Sequence, residues 1–135
     1  MAAQGVAQKL RIAADSTLLL LNAPEDYEQV LGALPDRVQL ATKPAGQHDV
    51  VLLFVRDRAE LERSLRQATE AVRDGGVLWI AWEKRAKRGP NDLNRDSLWA
   101  VVQPSGWGPV TNVAIDEAWS ALRFKPESEI KRGER

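Results

Sequence analysis

Two uninterrupted apolar stretches, VVLLFV at residues 50–55 and VLWIAW at residues 77–82, most constrain what this chain can fold into. Neither stretch alternates apolar with polar residues, as a strand with one solvated face would. Both have the length of a strand and are rich in β-branched or aromatic side chains. Continuous apolar strands of this kind are typical of a parallel sheet that is covered by helices on both faces.

The first apolar run, TLLLL at residues 17–21, predicts a strand that passes through a short turn into a helix. Apolar side chains recur at helical spacing over residues 24–34. Pro24 suits the first turn of such a helix, and Glu25 and Asp26 suit the positive end of its dipole. We therefore expect a helix that spans residues 24–34.

Strand and helix patterns continue to alternate along the rest of the chain. Asp57 and Glu60 have the spacing of a helix start. The sequence DGG at residues 74–76 predicts the end of that helix, because glycine accepts the left-handed conformation that follows a helix C-terminus. The other expected elements are a strand at 38–40, a helix from 91 or 92 to about 103, and an antiparallel hairpin of strands 110–115 and 119–124.

The resulting order β-α-β-β-α-β-α-β-β predicts an α/β fold. Helical crossovers imply parallel strands with right-handed connections. We therefore predict a doubly wound, Rossmann-like three-layer αβα sandwich, with a mostly parallel sheet of strand order 2-1-3-4-6-5 and an antiparallel last strand. The expected division is an N-terminal arm (1–16), a Rossmann-like domain (17–125) and a disordered tail (126–135).

Composition narrows the class of protein. The 135 residues carry 19 basic and 19 acidic side chains, so no net charge draws the protein to nucleic acid or to an anionic membrane. There is no cysteine, which excludes disulfides and thiolate metal sites and is compatible with a reducing cytoplasm. One histidine does not build a common metal site.

No apolar run approaches the roughly 20 residues of a membrane span, and the start lacks the pattern of a signal peptide. We expect a soluble, cytoplasmic, single-domain protein.

Three stretches resemble parts of class I methyltransferases: HDVVLLFV, ATEAVRDGGVLWIAW and VAIDEAWSALRF. The likeness spans about residues 15–125. The chain is also similar to an uncharacterised bacterial family of short Rossmann-like proteins, through LLLLNAP, VVLLFVR, GGVLWIAW, DLNRD and AIDEAWSALRF. Both resemblances imply the fold predicted above, and the second implies no activity.

The chain departs from the methyltransferase pattern where those enzymes meet S-adenosylmethionine (SAM). In that family an acidic, glycine-rich turn follows the first strand, and an acid at the end of the second strand binds the ribose hydroxyls. Here the first turn is Asn22-Ala23-Pro24, and the second strand ends in Leu40-Ala41-Thr42-Lys43. We therefore expect no cofactor. A phosphate at the first helix is also disfavoured, because Pro24 removes an N–H group and two acids occupy the positive end.

Candidate ligand-binding residues follow the strands, since such sheets bind ligands at the carboxyl ends of their strands. If SAM binds, we expect it to lie across Asn22, Pro24, Glu25 and Trp82, with Glu25 or Asp26 at its cationic methionine end. Arg56 is a further candidate. The simpler alternatives are that Asn22 caps the first helix, that Arg56 is a solvated charge, and that Trp82 packs in the core.

A basic segment after residue 83 is a separate candidate site for phosphate or RNA. No aromatic residue interleaves with its charges as a stacking platform would need, which counts against nucleic acid. A solvated loop with Asp92 capping a helix is the simpler alternative. The candidate residues are Lys84, Arg85, Lys87, Arg88, Asp92, Asn94 and Arg95.

These observations leave three functional hypotheses. The leading one is a methyltransferase-like scaffold that is non-catalytic and acts as a binding or regulatory module. A homodimer is one candidate form of this module. The second is a divergent SAM-dependent methyltransferase. The third is a phosphate or nucleic-acid binder that uses the basic segment.

Overall fold

The structure is a computed structural model that describes residues 6–43, 46–83, 95–115 and 119–129. In chain order its helices and strands are α1 (Val6–Lys9), β1 (Thr17–Leu21), α2 (Tyr27–Leu31), β2 (Gln39–Ala41), β3 (His48–Val55), α3 (Arg58–Ala71), β4 (Val72–Glu83), α4 (Arg95–Val102), β5 (Trp107–Ala114) and β6 (Trp119–Pro126). A short 3₁₀ turn at Gln103–Ser105 lies between α4 and β5, and another at Glu127–Glu129 follows β6.

The strands form one six-stranded sheet in the order β2-β1-β3-β4-β6-β5. Strands β2, β1, β3 and β4 are parallel to one another, and β6 runs antiparallel to both β4 and β5. The predicted α/β fold, strand order and antiparallel last strand are confirmed. From β1 the chain passes first to β2 on one side and then to β3 on the other, so the order reverses between β1 and β3.

Each face of the sheet carries its own hydrophobic core, which explains the uninterrupted apolar strands. On one face Leu19 and Leu53 pack with Leu61 of α3 and Leu98 of α4. The alternate strand residues point to the other face, where they pack with α2 and with the segment before β1. The arrangement gives three layers, because helices cover both faces.

The segment before β1 contributes to the second core. Leu10 and Ile12 are buried there, at 0% and 4% exposure. The indole Nε1 of Trp79 on β4 donates a buried hydrogen bond of 2.8 Å to the carbonyl oxygen of Leu10. A side chain of the central sheet thus anchors the chain just ahead of the first strand.

The helix expected over residues 24–34 is wrong in its bounds. Helix α2 has five residues, Tyr27–Leu31, and Asp26 is its N-cap without a side-chain hydrogen bond. Pro24 and Glu25 precede the helix, and the Pro24 carbonyl accepts a turn hydrogen bond of 3.1 Å from the Tyr27 N–H. Since Pro24 and Glu25 form a turn, the argument that they disfavour phosphate at the first helical turn no longer holds.

The DGG segment also has a different role from the one predicted. Helix α3 ends at Ala71, and residues 74–76 lie inside β4. The register with β3 shifts there, from His48 opposite Val72 to Val50 opposite Val77. The glycines therefore belong to an irregularity in β4 and not to a helix end. This irregularity needs the positive φ of 78° at Gly75.

The three remaining helix and hairpin predictions are confirmed in part. Asp57 caps α3, its Oδ1 accepting a hydrogen bond of 2.8 Å from the Glu60 N–H. The hairpin of β5 and β6 is present, but β5 begins at Trp107, ahead of the predicted strand start at residue 110. The predicted start of the preceding helix at residue 91 or 92 lies outside the described residues, and the helix ends at Val102.

None of the helices in the described ranges is both long and apolar enough to cross a membrane.

Candidate functional site

The candidate site lies at the carboxyl ends of β1 and β3, where the strand order reverses. In open α/β sheets the crevice outside the strand ends at such a point is the usual place for a ligand. Leu21, the last residue of β1, pairs with Leu53 of β3. Asn22 and Arg56 follow these strands and therefore lie at the sheet edge where a ligand would be expected.

Asn22 has a left-handed backbone, with φ 58°. Its side-chain Nδ2 donates a hydrogen bond of 2.9 Å to the Oγ of Ser64 on α3. Ser64 is the one polar or charged residue buried among the described residues, at 8% exposure. The alternative that Asn22 caps the first helix is wrong, because Asp26 holds that position.

Arg56 follows β3, and its side chain is 44% exposed. Its Nη1 lies 3.4 Å from Glu60 Oε2 and 3.5 Å from the carbonyl oxygen of Asn22. These contacts are long for charge-assisted hydrogen bonds, which usually measure about 2.7–2.9 Å. The carboxylate of Glu60 is held more closely by the backbone N–H of Arg56, at 2.8 Å. The guanidinium is thus a half-exposed cation at the carboxyl end of β3, and its ion pair with Glu60 is long.

The other residues predicted to meet SAM lie at this edge in different environments. Trp82 is 6% exposed and belongs to the core between the sheet and the helices α3 and α4. Its ring packs inside the domain, as in the simpler alternative. Pro24 is half-buried and Glu25 is exposed, both in the turn between β1 and α2. The structure therefore places Asn22, Pro24, Glu25 and Arg56 in the segments that follow β1 and β3 at the carboxyl edge of the sheet, and Trp82 in the core beside them.

The end of β2 is the position at which the ribose-binding acid would be expected. The strand ends at Ala41, and Thr42 and Lys43 follow with exposed side chains. Thr42 supplies a hydroxyl at this position, which donates or accepts single hydrogen bonds. An exposed hydroxyl therefore stands where the methyltransferase pattern has an acid.

The basic segment falls almost entirely outside the described residues. This applies to Lys84, Arg85, Lys87, Arg88, Asp92 and Asn94. Arg95 is placed only as the first residue of α4. The phosphate or nucleic-acid site that these residues were predicted to form therefore stays a prediction.

Ser64 is the residue of the site that sequence reasoning missed. It lies on α3 among Leu61, Leu65 and Ala68, which form the apolar stripe of that helix. A serine at a core-facing position of an amphipathic helix is the available signal, because a buried hydroxyl needs a hydrogen-bond partner. The sequence pattern does not identify that partner, which is 42 residues away.

The opposite, amino edge of the sheet carries a different polar cluster. The Asp49 carboxylate forms an ion pair with Arg73 and accepts a hydrogen bond of 2.8 Å from the Thr17 N–H. Arg73, followed by the Thr17 hydrogen bonds, holds the pKa of Asp49 below its usual value. Two cavities of about 310 Å³ and about 330 Å³ border this cluster, and Arg73 and Gly75 line both. The cluster joins the starts of β1, β3 and β4.

Neither a protein-family model nor a curated protein matches this sequence. The resemblance to the short bacterial family therefore stays a prediction.

Solved structures of methyltransferases have the same fold. The DhpI–SAH complex aligns with a TM-score of 0.60 at 15% identity, over 90% of this chain and 82% of that chain. The ribosomal protein L11 methylase of Lactobacillus delbrueckii subsp. bulgaricus aligns with a TM-score of 0.59 at 8% identity, over 90% and 74%. The DhpI–SAM–HEP complex aligns with a TM-score of 0.58 at 13% identity, over 90% and 84%. At these identities the likeness shows a methyltransferase-like fold.

The comparisons correct the expectation of no cofactor. That expectation rested on the missing glycines and the missing acid. DhpI, whose fold this chain shares, has been solved with SAH and with SAM. The absence of the glycine motif is therefore not a sufficient reason to assign the chain no cofactor.

Proposed function

We propose that this chain is a methyltransferase-type domain that binds an S-adenosyl ligand, SAM or S-adenosylhomocysteine (SAH), in the crevice between the ends of β1 and β3. The observation that carries the proposal is the left-handed turn at Asn22, φ 58°, at the point where the strand order reverses. Glycine usually supplies this conformation, and asparagine is among the few other residues that adopt it readily. The turn after β1 thus has a glycine-type backbone without a glycine.

The charges around the crevice are complementary to the amino-acid end of such a ligand. That end carries a carboxylate and an ammonium group, and in SAM a sulfonium whose methyl group is electrophilic. Arg56 is the group that would hold the carboxylate, since its contacts to Glu60 and Asn22 are 3.4–3.5 Å and leave it half-exposed. The exposed acids Glu25 and Asp26 are the groups that would hold the ammonium.

The ribose end of the ligand would be held less tightly than in the family pattern. A carboxylate accepts hydrogen bonds from both ribose hydroxyls, whereas the Thr42 hydroxyl after β2 supplies one group and no charge. We therefore expect measurable but modest affinity, with the amino-acid end contributing more of the specificity than the ribose does.

Calorimetric titration of the purified 135-residue chain with SAH tests the proposal, with adenosine and methionine as half-ligand controls. We expect saturable binding of one SAH per chain and weaker binding of either half. A ligand at a hundred times its dissociation constant stabilises the fold by about 2.7 kcal/mol, so the melting temperature should rise with SAH. No heat and no thermal shift at millimolar SAH would overturn the proposal.

A second proposal concerns what the bound ligand does. The missing ribose acid favours the non-catalytic role, in which the domain binds the ligand as a regulatory module. A homodimer is one candidate form of this module. The alternative is a divergent methyltransferase. Purified protein incubated with SAM and candidate acceptors should release no SAH above the buffer rate in the regulatory case. Sustained, protein-dependent SAH release would instead establish methyl transfer.

The phosphate or nucleic-acid hypothesis makes a separate prediction. Neutralising Lys84, Arg85, Lys87 and Arg88 together should abolish binding to a phosphate-rich ligand and remove its salt dependence. Binding that survives this change would exclude the basic segment as the site.

A further inference from the structure

We infer that Ser64 is a positioning residue for the ligand turn: through its hydrogen bond to Asn22 it holds the left-handed backbone that other proteins of this kind obtain from glycine. The inference rests on the proposed function, because it explains how the proposed ligand crevice keeps its shape. Ser64 itself lies on α3, behind the turn, and acts through Asn22.

The surroundings of Ser64 make its hydroxyl unusual. Its neighbours on the buried stripe of α3, Leu61 and Ala68, are both 0% exposed, and Ser64 itself is 8% exposed. A hydroxyl in such a place costs stability unless it is hydrogen-bonded. Its partner in the structure is the Nδ2 of Asn22, at 2.9 Å. An alanine would fit the stripe as well, so the polar atom is explained by the bond to the turn.

The bond addresses a specific conformational problem at Asn22. A non-glycine residue at φ 58° is less favourable than one in the usual backbone regions. Such conformations persist where the surrounding structure holds them. The Ser64 bond is a contact of this kind, because it ties the side chain of the strained residue to a rigid helix.

The consequence extends across the crevice. The carbonyl oxygen of Asn22 is 3.5 Å from Nη1 of Arg56, so a change in the Asn22 backbone also alters the surroundings of that cation. Ser64, Asn22 and Arg56 thus form one chain of contacts from α3 across the turn to the end of β3. A turn that is already ordered lowers the entropic cost of binding.

A double-mutant cycle with Ser64→Ala and Asn22→Gly tests the inference. With Asn22 present, Ser64→Ala should weaken SAH binding about tenfold, since contacting residues show couplings of this order. Asn22→Gly supplies the second background, because glycine takes the left-handed conformation unaided, and its own SAH affinity is the reference for that background. In the Asn22→Gly background, Ser64→Ala should have no further effect.

The same cycle is read without ligand by hydrogen exchange at the Tyr27 amide, which donates a hydrogen bond of 3.1 Å to the Pro24 carbonyl oxygen in the turn after Asn22. Ser64→Ala should speed exchange when residue 22 is asparagine and leave it unchanged when residue 22 is glycine. Thr69→Ala is the matched control, since its hydroxyl lies on the same helix and bonds to the Arg66 carbonyl. It should alter neither readout.

The outcomes separate the two proposals. If Ser64→Ala has the same effect in both backgrounds, or none in either, the positioning role is wrong. If the wild-type chain binds no SAH, the proposed function fails, and the exchange cycle still decides whether Ser64 holds the turn. Circular dichroism confirms that each variant is folded before it is scored.

Discussion

The two edges of the sheet use polar side chains in opposite ways. At the amino edge, Asp49 is surrounded by groups that satisfy it: Arg73 from β4 and both the N–H and the hydroxyl of Thr17 from β1. At the carboxyl edge, Arg56 makes contacts of 3.4–3.5 Å and remains half-exposed. The amino edge thus joins strand ends to one another, while the carboxyl edge has a charge available for another molecule.

The backbone shows the same contrast. Gly76 at the amino edge is packed so closely that an added Cβ would lie 2.9 Å from the Asp49 carbonyl oxygen. At the carboxyl edge the left-handed position is taken by Asn22, which is exposed and held by a single side-chain bond. We therefore expect substitutions at the amino edge to change stability and those at the carboxyl edge to change ligand affinity.

The largest effect is expected at Gly76. A Cβ there would also lie 2.8 Å from Cγ2 of Val72, so Gly76→Ala forces the bulge to move. We expect the free energy of unfolding to fall by about 3 kcal/mol, at the upper end for overpacking. Urea unfolding measures it. Gly75→Asn is the control: asparagine tolerates the positive φ, so its loss should be far smaller.

The comparison between the edges would fail if Gly76→Ala were as stable as wild type, or if the folded variant lost SAH affinity. In that case the amino edge would be tied to the ligand crevice rather than to stability alone.

Arg56→Gln is expected to have the next largest effect, and on binding rather than on stability. Removing the cation should weaken SAH binding about tenfold, which corresponds to about 1.4 kcal/mol. The melting temperature should hardly change, since an exposed pair with long contacts contributes little. Titration calorimetry measures the first and thermal unfolding the second.

The matched control is Arg66→Gln. Arg66 forms a pair of the same spacing with Glu70 on α3, at 2.9 Å, but away from the crevice. Equal loss of SAH affinity in both variants would show that Arg56 acts only through general surface charge.

Asp49→Asn should lower the free energy of unfolding at pH 7 by about 1 kcal/mol, because a charge-assisted network is lost. The ion pair and hydrogen bonds lower the pKa of Asp49 in the folded state. Its contribution is therefore present above the ordinary carboxylate pKa of about 3.9. It is lost as the pH falls through the lower folded value.

Urea unfolding from pH 7 down to pH 2 should show the wild type and the Asp49→Asn variant converging in acid. Asp74→Asn, a nearby exposed carboxylate, is the control and should follow the wild type throughout. A stability gap that does not depend on pH would mean that packing, and not charge, carries the effect.

The smallest expected effect is a gain. Thr42→Asp places an acid directly after β2, where the family pattern has one for the ribose. We expect SAH to bind about threefold more tightly, since one new hydrogen-bonded carboxylate acts at a solvated site. Thr111→Asp, on the far edge strand β5, should leave the affinity unchanged. Weaker binding by Thr42→Asp would place the ribose elsewhere.

Prediction from the sequence succeeded where a pattern is local and repeated. The apolar runs of β3 and β4 identified buried strands, and the spacing of Asp57 and Glu60 identified the start of α3. It failed where one local signal fits two structures. Proline is common both in turns and in the first turn of a helix, and Pro24 lies in a turn. Glycine with a positive φ is common both in strand irregularities and after helix ends, and Gly75 lies in a strand irregularity.

The candidate site was predicted in the same uneven way. Asn22 and Arg56 were correctly predicted to follow strand ends, because the ends of apolar strands can be read from the sequence. Their role as ligand-binding residues stays a prediction. Trp82 was placed at the correct strand end, yet it packs in the core, since burial depends on α3 and α4 above it. Ser64 was missed because its partner comes from a different part of the chain.

By itself, the sequence determined the class of fold: continuous apolar strands require cover on both faces, and a chain with this order of helices and strands meets that need with two helical layers. Only the tertiary structure decided how the turn after β1 is built. The backbone of Asn22 depends on a hydroxyl that folding brings from 42 residues away, and no local pattern encodes such a contact. For that reason the missing glycines, which in the sequence argue against a cofactor, are compatible with a ligand crevice in the folded protein.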